Sequence, residues 1–292
     1  MPVIVSLTRR GLRLFVREPL NVFFALLSPL IVFLLYTVFL GNLQVDSITA
    51  AAPMAETGDV RGFVDSWMFG GIVALTTMTA PLGALSVFVD DATSNRFRDF
   101  LVSPVTRGQL VSGYLVGAFT IGVISALLVL TLGLVYLSTV SGVLVGAAQV
   151  ASSVCWIFLS TAGFTALWGY IVTFLRTSGS FSALSTIIGT SVGFVAGAFV
   201  ALGLLPDAVR SAVSALPFAE AAMLLLREFT RTAVSDLAGD NPGAIDALNR
   251  LYGIDLAIGD WAVPSWYPVA LIVAVTLGFT VLAVGRIRTR IT

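Results

Sequence analysis

Residues 110–138 read LVSGYLVGAFTIGVISALLVLTLGLVYLS, twenty-nine positions without one charged side chain. A helix rises 1.5 Å per residue, so roughly 20 such residues cross the hydrocarbon of a bilayer. An apolar run of this length decides the fold class in favour of a membrane span. Working outward, five more runs of the same kind stand at 20–40, 67–89, 143–175, 181–205 and 266–285. The expectation is an all-α integral membrane protein, one transmembrane domain over 1–292 with six spans. Its 292 residues are 57% hydrophobic and 11% charged, against roughly 25% charged in soluble domains; the mean hydropathy is +0.98. The first run, at 21 residues, exceeds the roughly 7 to 15 of a cleaved signal core and is expected to be retained. Pro29 and Pro81 are expected to kink their helices.

The composition also excludes chemistry. All 16 basic residues are arginine, and histidine is absent. A phosphate loop of the GxxxxGK[ST] kind needs a lysine, so the chain has no ATP site of that type. Without histidine there is no Ser-His-Asp triad and no HExxH zinc site. The single cysteine, Cys155, cannot form an internal disulfide or a multi-cysteine metal site and reads as core packing. No metal site is expected. Arginine used throughout in place of lysine points to a GC-rich bacterial source.

Six spans put 1–19, 90–109, 176–180 and 286–292 on one side, with eleven arginines against four acids, net +7. The other side carries five arginines against twelve acids, net −7. Positive residues stay cytoplasmic, so both termini are expected inside the cell membrane. No soluble basic domain is present to bind nucleic acid. No Asp, Glu or Arg falls in the middle of any run; ion-driven carriers usually keep such groups at membrane depth, so work would have to enter from outside the bilayer.

Two segments face the cytoplasm in this reading. Residues 3–18, VIVSLTRRGLRLFVRE, form an amphipathic surface helix: Arg9, Arg10, Arg13 and Arg17 share an arc of about 100°, opposite Ile4, Leu7, Leu14 and Phe15. Its arginines are expected at lipid headgroups, and Pro19 either ends it or begins the first span. Residues 94–110, SNRFRDFLVSPVTRGQL, carry a second short amphipathic helix with Phe97, Phe100 and Leu101 on one face and Arg96, Arg98 and Asp99 around the rest, stopped at Ser103-Pro104. It suits either a groove on a partner or a plain interfacial segment.

These residues carry a resemblance. The surface helix ending in Arg17, Pro19 and Leu20, the six spans, and the loop FLVSPVTRGQL at 100–110 with Ser103, Pro104 and Arg107 are similar to type 2 ATP-binding-cassette export permeases, the group that includes daunorubicin-resistance and polysaccharide-export permeases. A looser likeness follows the fifth span at Pro217 and Arg227. The resemblance implies an elbow helix over 1–19, a coupling loop over 94–108 docked on a separately encoded ATPase that holds ATP and magnesium, and a second copy or homologue completing the pathway. It implies outward movement of a drug, lipid or lipid-linked molecule. Asp90, Asp91, Ala92, Thr93 and Ser94 depart from the acidic residue and glycine pair found before the coupling helix in many members.

The resemblance also assigns the second and fifth spans to a central cavity, which makes Thr76, Thr77, Thr79, Phe181, Ser185, Thr186, Thr190 and Phe194 its candidates. Read from the residues alone, such hydroxyls bond back to their own helix or bridge neighbours. Gly189, Gly193 and Gly197, spaced by four, suit close helix packing within the chain or across a dimer. Segment 206–264 is expected outside, with 216–226 too short to span and read either as a re-entrant or surface helix or as a folded loop. Two other classes stay open. One is a scaffold that moves nothing. The other is a membrane enzyme using Asp90-Asp91 in the manner of prenyltransferases, which would need a second acidic motif that is missing.

Overall fold

The computed structural model describes residues 2–17, 29–53, 55–94, 107–239 and 241–290. The chain is an all-α integral membrane protein. Its helices are α1 (Pro2–Arg17), α2 (Pro29–Ala51), α3 (Thr57–Ala84), α4 (Ser86–Thr93), α5 (Arg107–Tyr136), α6 (Ala147–Val172), α7 (Ser178–Val195), α8 (Asp207–Ser214), α9 (Pro217–Ala238), α10 (Pro242–Leu251) and α11 (Tyr267–Arg290). A two-residue hairpin, β1 (Ala257–Ile258) against β2 (Trp261–Ala262), pairs Ala257 with Ala262 and Ile258 with Trp261.

Local chemistry sets the boundaries. Thr177 caps α7 by accepting from the Ser180 N–H at 3.1 Å. The Gln149 side chain accepts from the Gly146 N–H at 2.6 Å and opens α6. Asn241 caps α10 ahead of Pro242, whose missing N–H costs nothing at a first helical position. Left-handed glycines follow two of the long helices, Gly142 after α5 and Gly197 after α7.

The centre of the bundle is α3. Almost every residue from Val60 to Leu82 is buried, as expected of a helix apolar on all sides. Around it pack α2, α5, α6, α7 and α9. Three polar handles fix its surroundings: Trp67 Nε1 donates to the Tyr252 carbonyl at 2.9 Å, Trp168 Nε1 to the Met78 carbonyl at 2.7 Å, and the Tyr36 hydroxyl to the Phe199 carbonyl at 3.0 Å. Each aromatic buries its ring and satisfies its one polar atom.

Several expected spans change their limits. The first helix does not stop at 40 but runs through a wide i→i+5 turn at Tyr36–Leu40 to Ala51, ending just ahead of Pro53; the polar 42–47 stretch still satisfies its own backbone, so the end of an apolar run does not end a helix. Residues 20–28 of that run lie outside the described residues. The second helix begins ten residues early, at Thr57, and breaks at Leu85, four residues after Pro81. The fifth ends at Val195 instead of 205: Gly197 adopts φ +69° and the chain folds back through a 3₁₀ turn at Leu202–Leu204. Segment 206–264 is not a simple loop. Its α8 and α9 meet at an 85° bend, the geometry of a broken span or a re-entrant pair. The apolar 216–226 stretch opens a 22-residue helix that is packed along α3 and α6.

α3 and α9 pack tightly at Gly70, where an added Cβ would lie 3.1 Å from Leu226 Cδ2 and 3.3 Å from its Cα. Gly83 on the same helix has nothing within 4 Å. Gly70→Ala is therefore expected to lower the melting temperature of the purified protein through overpacking of about 1–3 kcal/mol, while Gly83→Ala leaves it unchanged or raises it.

Candidate functional site

Arginines on a surface helix usually face headgroups, but Arg10 turns inward. Its two terminal nitrogens reach Asp91 Oδ2 at 2.8 Å and Oδ1 at 3.2 Å, a two-point guanidinium–carboxylate pair. Asp91, at 1% exposure, also accepts from the Tyr114 hydroxyl at 2.5 Å. The hydrogen bond to Asp91 raises the Arg10 pKa further above its ordinary value, so the guanidinium stays charged. Arg9, Arg13 and Arg17 are exposed, as a headgroup role requires. Two residues before Arg10, the Thr8 hydroxyl lies 3.5 Å from the Gly113 carbonyl, and Phe88 meets the Tyr114 ring edge-on.

The neighbouring residues tie in a further helix. Asp90 Oδ1 accepts from the Ser178 hydroxyl at 3.1 Å, at the start of α7. Thr93 and Ser94 donate back to the Asp90 carbonyl at 3.1 and 2.7 Å and finish α4. Residues 90–94 thus join α1, α4, α5 and α7 directly before the loop that leads to α5. The acids read as a departure from a family pattern are the clasp of this end. Arg96, Phe97, Arg98, Asp99, Phe100, Leu101, Ser103 and Pro104 lie outside the described residues; Arg107 opens α5. Among the described residues no three His, Cys, Asp or Glu come together to hold a metal ion.

The cavity candidates separate into two groups. Thr76 and Thr77 are buried in the middle of the bundle and donate to the Ile72 and Ala74 carbonyls at 2.7 Å; Thr79 donates to Leu75 at 2.9 Å. Thr76 and Thr77 are 0% exposed, and Thr79 is half-buried. On α7, Thr186 and Thr190 are exposed and donate to the carbonyls of Ser182 and Thr186, both at 2.9 Å. Ser185 is half-buried with an unpartnered hydroxyl, Phe181 is buried, and Phe194 is 56% exposed against the edge of Phe199. Thr186 and Thr190 on α7 are therefore open, whereas Thr76 and Thr77 on α3 are enclosed.

The three glycines of α7 do different things. Gly189 has nothing within 4 Å of an added Cβ. Gly193 makes room for Phe199 of the same chain, whose ring an added Cβ would overlap, and Gly197 supplies the left-handed turn. Among the described residues, the atoms nearest an added Cβ on this stripe come from Phe199 and Leu202 of the same chain's fold-back. Cys155, expected in the core, is exposed on α6.

Carboxylates do occur inside the bundle. Asp65, 4% exposed, accepts from Ser141 at 2.7 Å and has Arg61 at 3.7 Å. Glu228 lies 3.4 Å from Trp156 Nε1 and from Arg231. Glu220 is 0% exposed. The six runs contain no such group because α3 starts before its run and α9 was assigned to an external segment.

A sequence profile of the ABC-2 type transporter family matches residues 2–226. No curated protein compared with the chain matches it. The chain belongs to the ABC-2 type transporter family, and it is a membrane permease component of an ABC transporter, a family that generally works with an ABC ATPase partner.

Removing the guanidinium leaves the Asp91 carboxylate buried without its charged partner. Arg10→Gln is expected to lower stability by about 1–3 kcal/mol, read as a lower melting temperature. Asp91→Asn alone and the double variant complete a cycle whose coupling energy measures the pair.

Proposed function

We propose that this chain is the membrane half-pathway of an ATP-driven exporter and that the clasp at Arg10, Asp91 and Tyr114 carries the force. Both termini and the 95–106 loop face the cytoplasm in this reading. A separate ATPase, holding ATP and magnesium, receives the 95–110 loop in a cleft, with Phe97, Phe100 and Leu101 as its apolar face. When the ATPase closes, the loop moves. The observation that carries the reading is that the residues just before this loop are hydrogen-bonded to three other helices. A displacement there cannot stay local, because the loop, the elbow helix and the starts of α5 and α7 are connected through Asp90 and Asp91.

The open face of α7, with Thr186, Thr190 and Phe194, suits a pathway wall that a second copy or a homologue of this chain would close. Mild polarity without charge on that face favours amphipathic, largely apolar cargo such as a drug, a lipid or a lipid-linked molecule. Gly189 keeps the same surface smooth. The scaffold alternative differs in one respect, since it moves nothing.

Vesicles carrying the chain and its ATPase decide between them. Phe97→Asp or Phe100→Asp is expected to abolish ATP-dependent efflux, with membrane assembly unchanged. Efflux that survives both changes removes the docking role of the loop, and vesicles of the unaltered complex that move no amphipathic probe favour the scaffold.

A further inference from the structure

Glu220 stands in the first turn of α9, 0% exposed, and neither Oε1 nor Oε2 has a hydrogen-bond partner among the described residues. Asp65, comparably buried, is supplied as an anion with a hydroxyl at 2.7 Å and a guanidinium at 3.7 Å. Glu220 has neither. An ionised carboxylate stripped of water and left unpaired is strongly disfavoured, and the positive end of one helix returns only a small part of the lost hydration.

The charges around it are committed elsewhere. Arg227, two turns along α9, binds the Ile254 carbonyl at 3.0 Å, Asp255 at 2.6 Å and Ser265 at 3.3 Å. Further along α9, Arg231 pairs with Glu228, and Asp236 lies near the far end. On the packed neighbours, Arg61 lies beside Asp65 and Asp59 stands in the first turn of α3; Arg210 pairs with Asp207 on α8, and Arg250 with Asp246 on α10. On α11 the arginines 286, 288 and 290 stand at the end away from Tyr267. α6 offers only Cys155 and Tyr170, and α7 has no titratable group. No basic nitrogen comes within ion-pair distance of Glu220 among the described residues. Full burial leaves no room for a hydrated cation or an amine. A proton fits.

We propose that Glu220 is a proton-binding site, and that the packing of α9 against α3 and α6 forms with its carboxyl protonated and opens as the proton leaves to water. The residue lies between two of the contacts that hold α9, Phe218 stacked on Phe164 at 5.1 Å and the Leu226–Phe229 step over Gly70. Rolling α9 off this seat hydrates the carboxyl, which then ionises and is supplied by water. Returning to the seat takes the proton back. The re-entrant pair thereby becomes a gate with two protonation states, on the face opposite the ATPase loop in the proposed topology.

The test uses the intact purified chain in lipid nanodiscs. Melting temperature is followed from about pH 5 to about pH 9 for the unaltered chain and for Glu220→Gln. The unfolded carboxyl ionises at about pH 4.3, whereas the buried, unpaired one in the folded chain holds its proton to higher pH. Stability of the unaltered chain should therefore fall as pH rises, by up to tenfold in the folding equilibrium per unit, and Glu220→Gln should remove that part of the slope. Superimposable profiles overturn the proposal. If Glu220→Gln does not fold, infrared spectra of the unaltered chain with carboxyl-labelled glutamate decide: a protonated glutamate at neutral pH supports the site, and only ionised glutamate overturns it. Neither measurement involves an ATPase or a cargo, so the proton site and the exporter reading can fail separately.

Discussion

The bundle depends on how α3 is held where the hydrophobic effect cannot hold it. Lipid tails are as apolar as leucine, so burying α3 against other helices gains little from leaving the solvent, and cohesion has to come from close packing and from polar groups that find partners. Both are visible. Gly70 and Gly71 let Leu226 and the Ala198 backbone approach to about van der Waals contact, and two tryptophans and a tyrosine each donate to a backbone carbonyl of another segment. Backbone groups inside the bundle are satisfied within their own helices, which is the general condition for a chain in hydrocarbon.

From this central helix a mechanical path leads outward. α3 continues into α4 after one break at Leu85, and α4 ends in the residues clasped by Arg10, Tyr114 and Ser178. A stiff helix, a joint and a three-way clasp are the parts of a lever. The joint follows Pro81, whose missing N–H weakens the local ladder. On the opposite flank, α9 rests along the same helix, so in the proposed mechanism a movement entering through the clasp and one leaving through the bent α8–α9 pair would share α3.

Much of the fold was legible in the sequence because length and apolarity speak directly to bilayer thickness. The apolar runs located the helices, and the arginine arc located α1. Helix ends were less legible, since a helix continues through polar residues as long as its backbone is satisfied, as at 41–51 and 57–66. α9 was hidden for a related reason: Arg227, Glu228 and Arg231 interrupt its apolar composition, although they occupy positions where they find Asp255, Trp156 and one another. Of the candidate site, Arg10 and Asp91 could each be read, but their pairing across 81 positions could not, because it arises from α1 lying against α5. A signal was present in retrospect: two adjacent acids at the end of a span, in reach of a surface helix that carries four arginines.

The early reversal at Gly197 leaves α7 only 18 residues long, a rise of about 27 Å. That is shorter than the roughly 30 Å of an average hydrocarbon layer. Lipid beside this helix has to thin, or the fold-back residues Phe199 to Leu204 have to fill the shortfall. Acyl-chain length thus becomes a variable of the protein's own conformational balance: a thicker bilayer loads strain on the very surface that is left open.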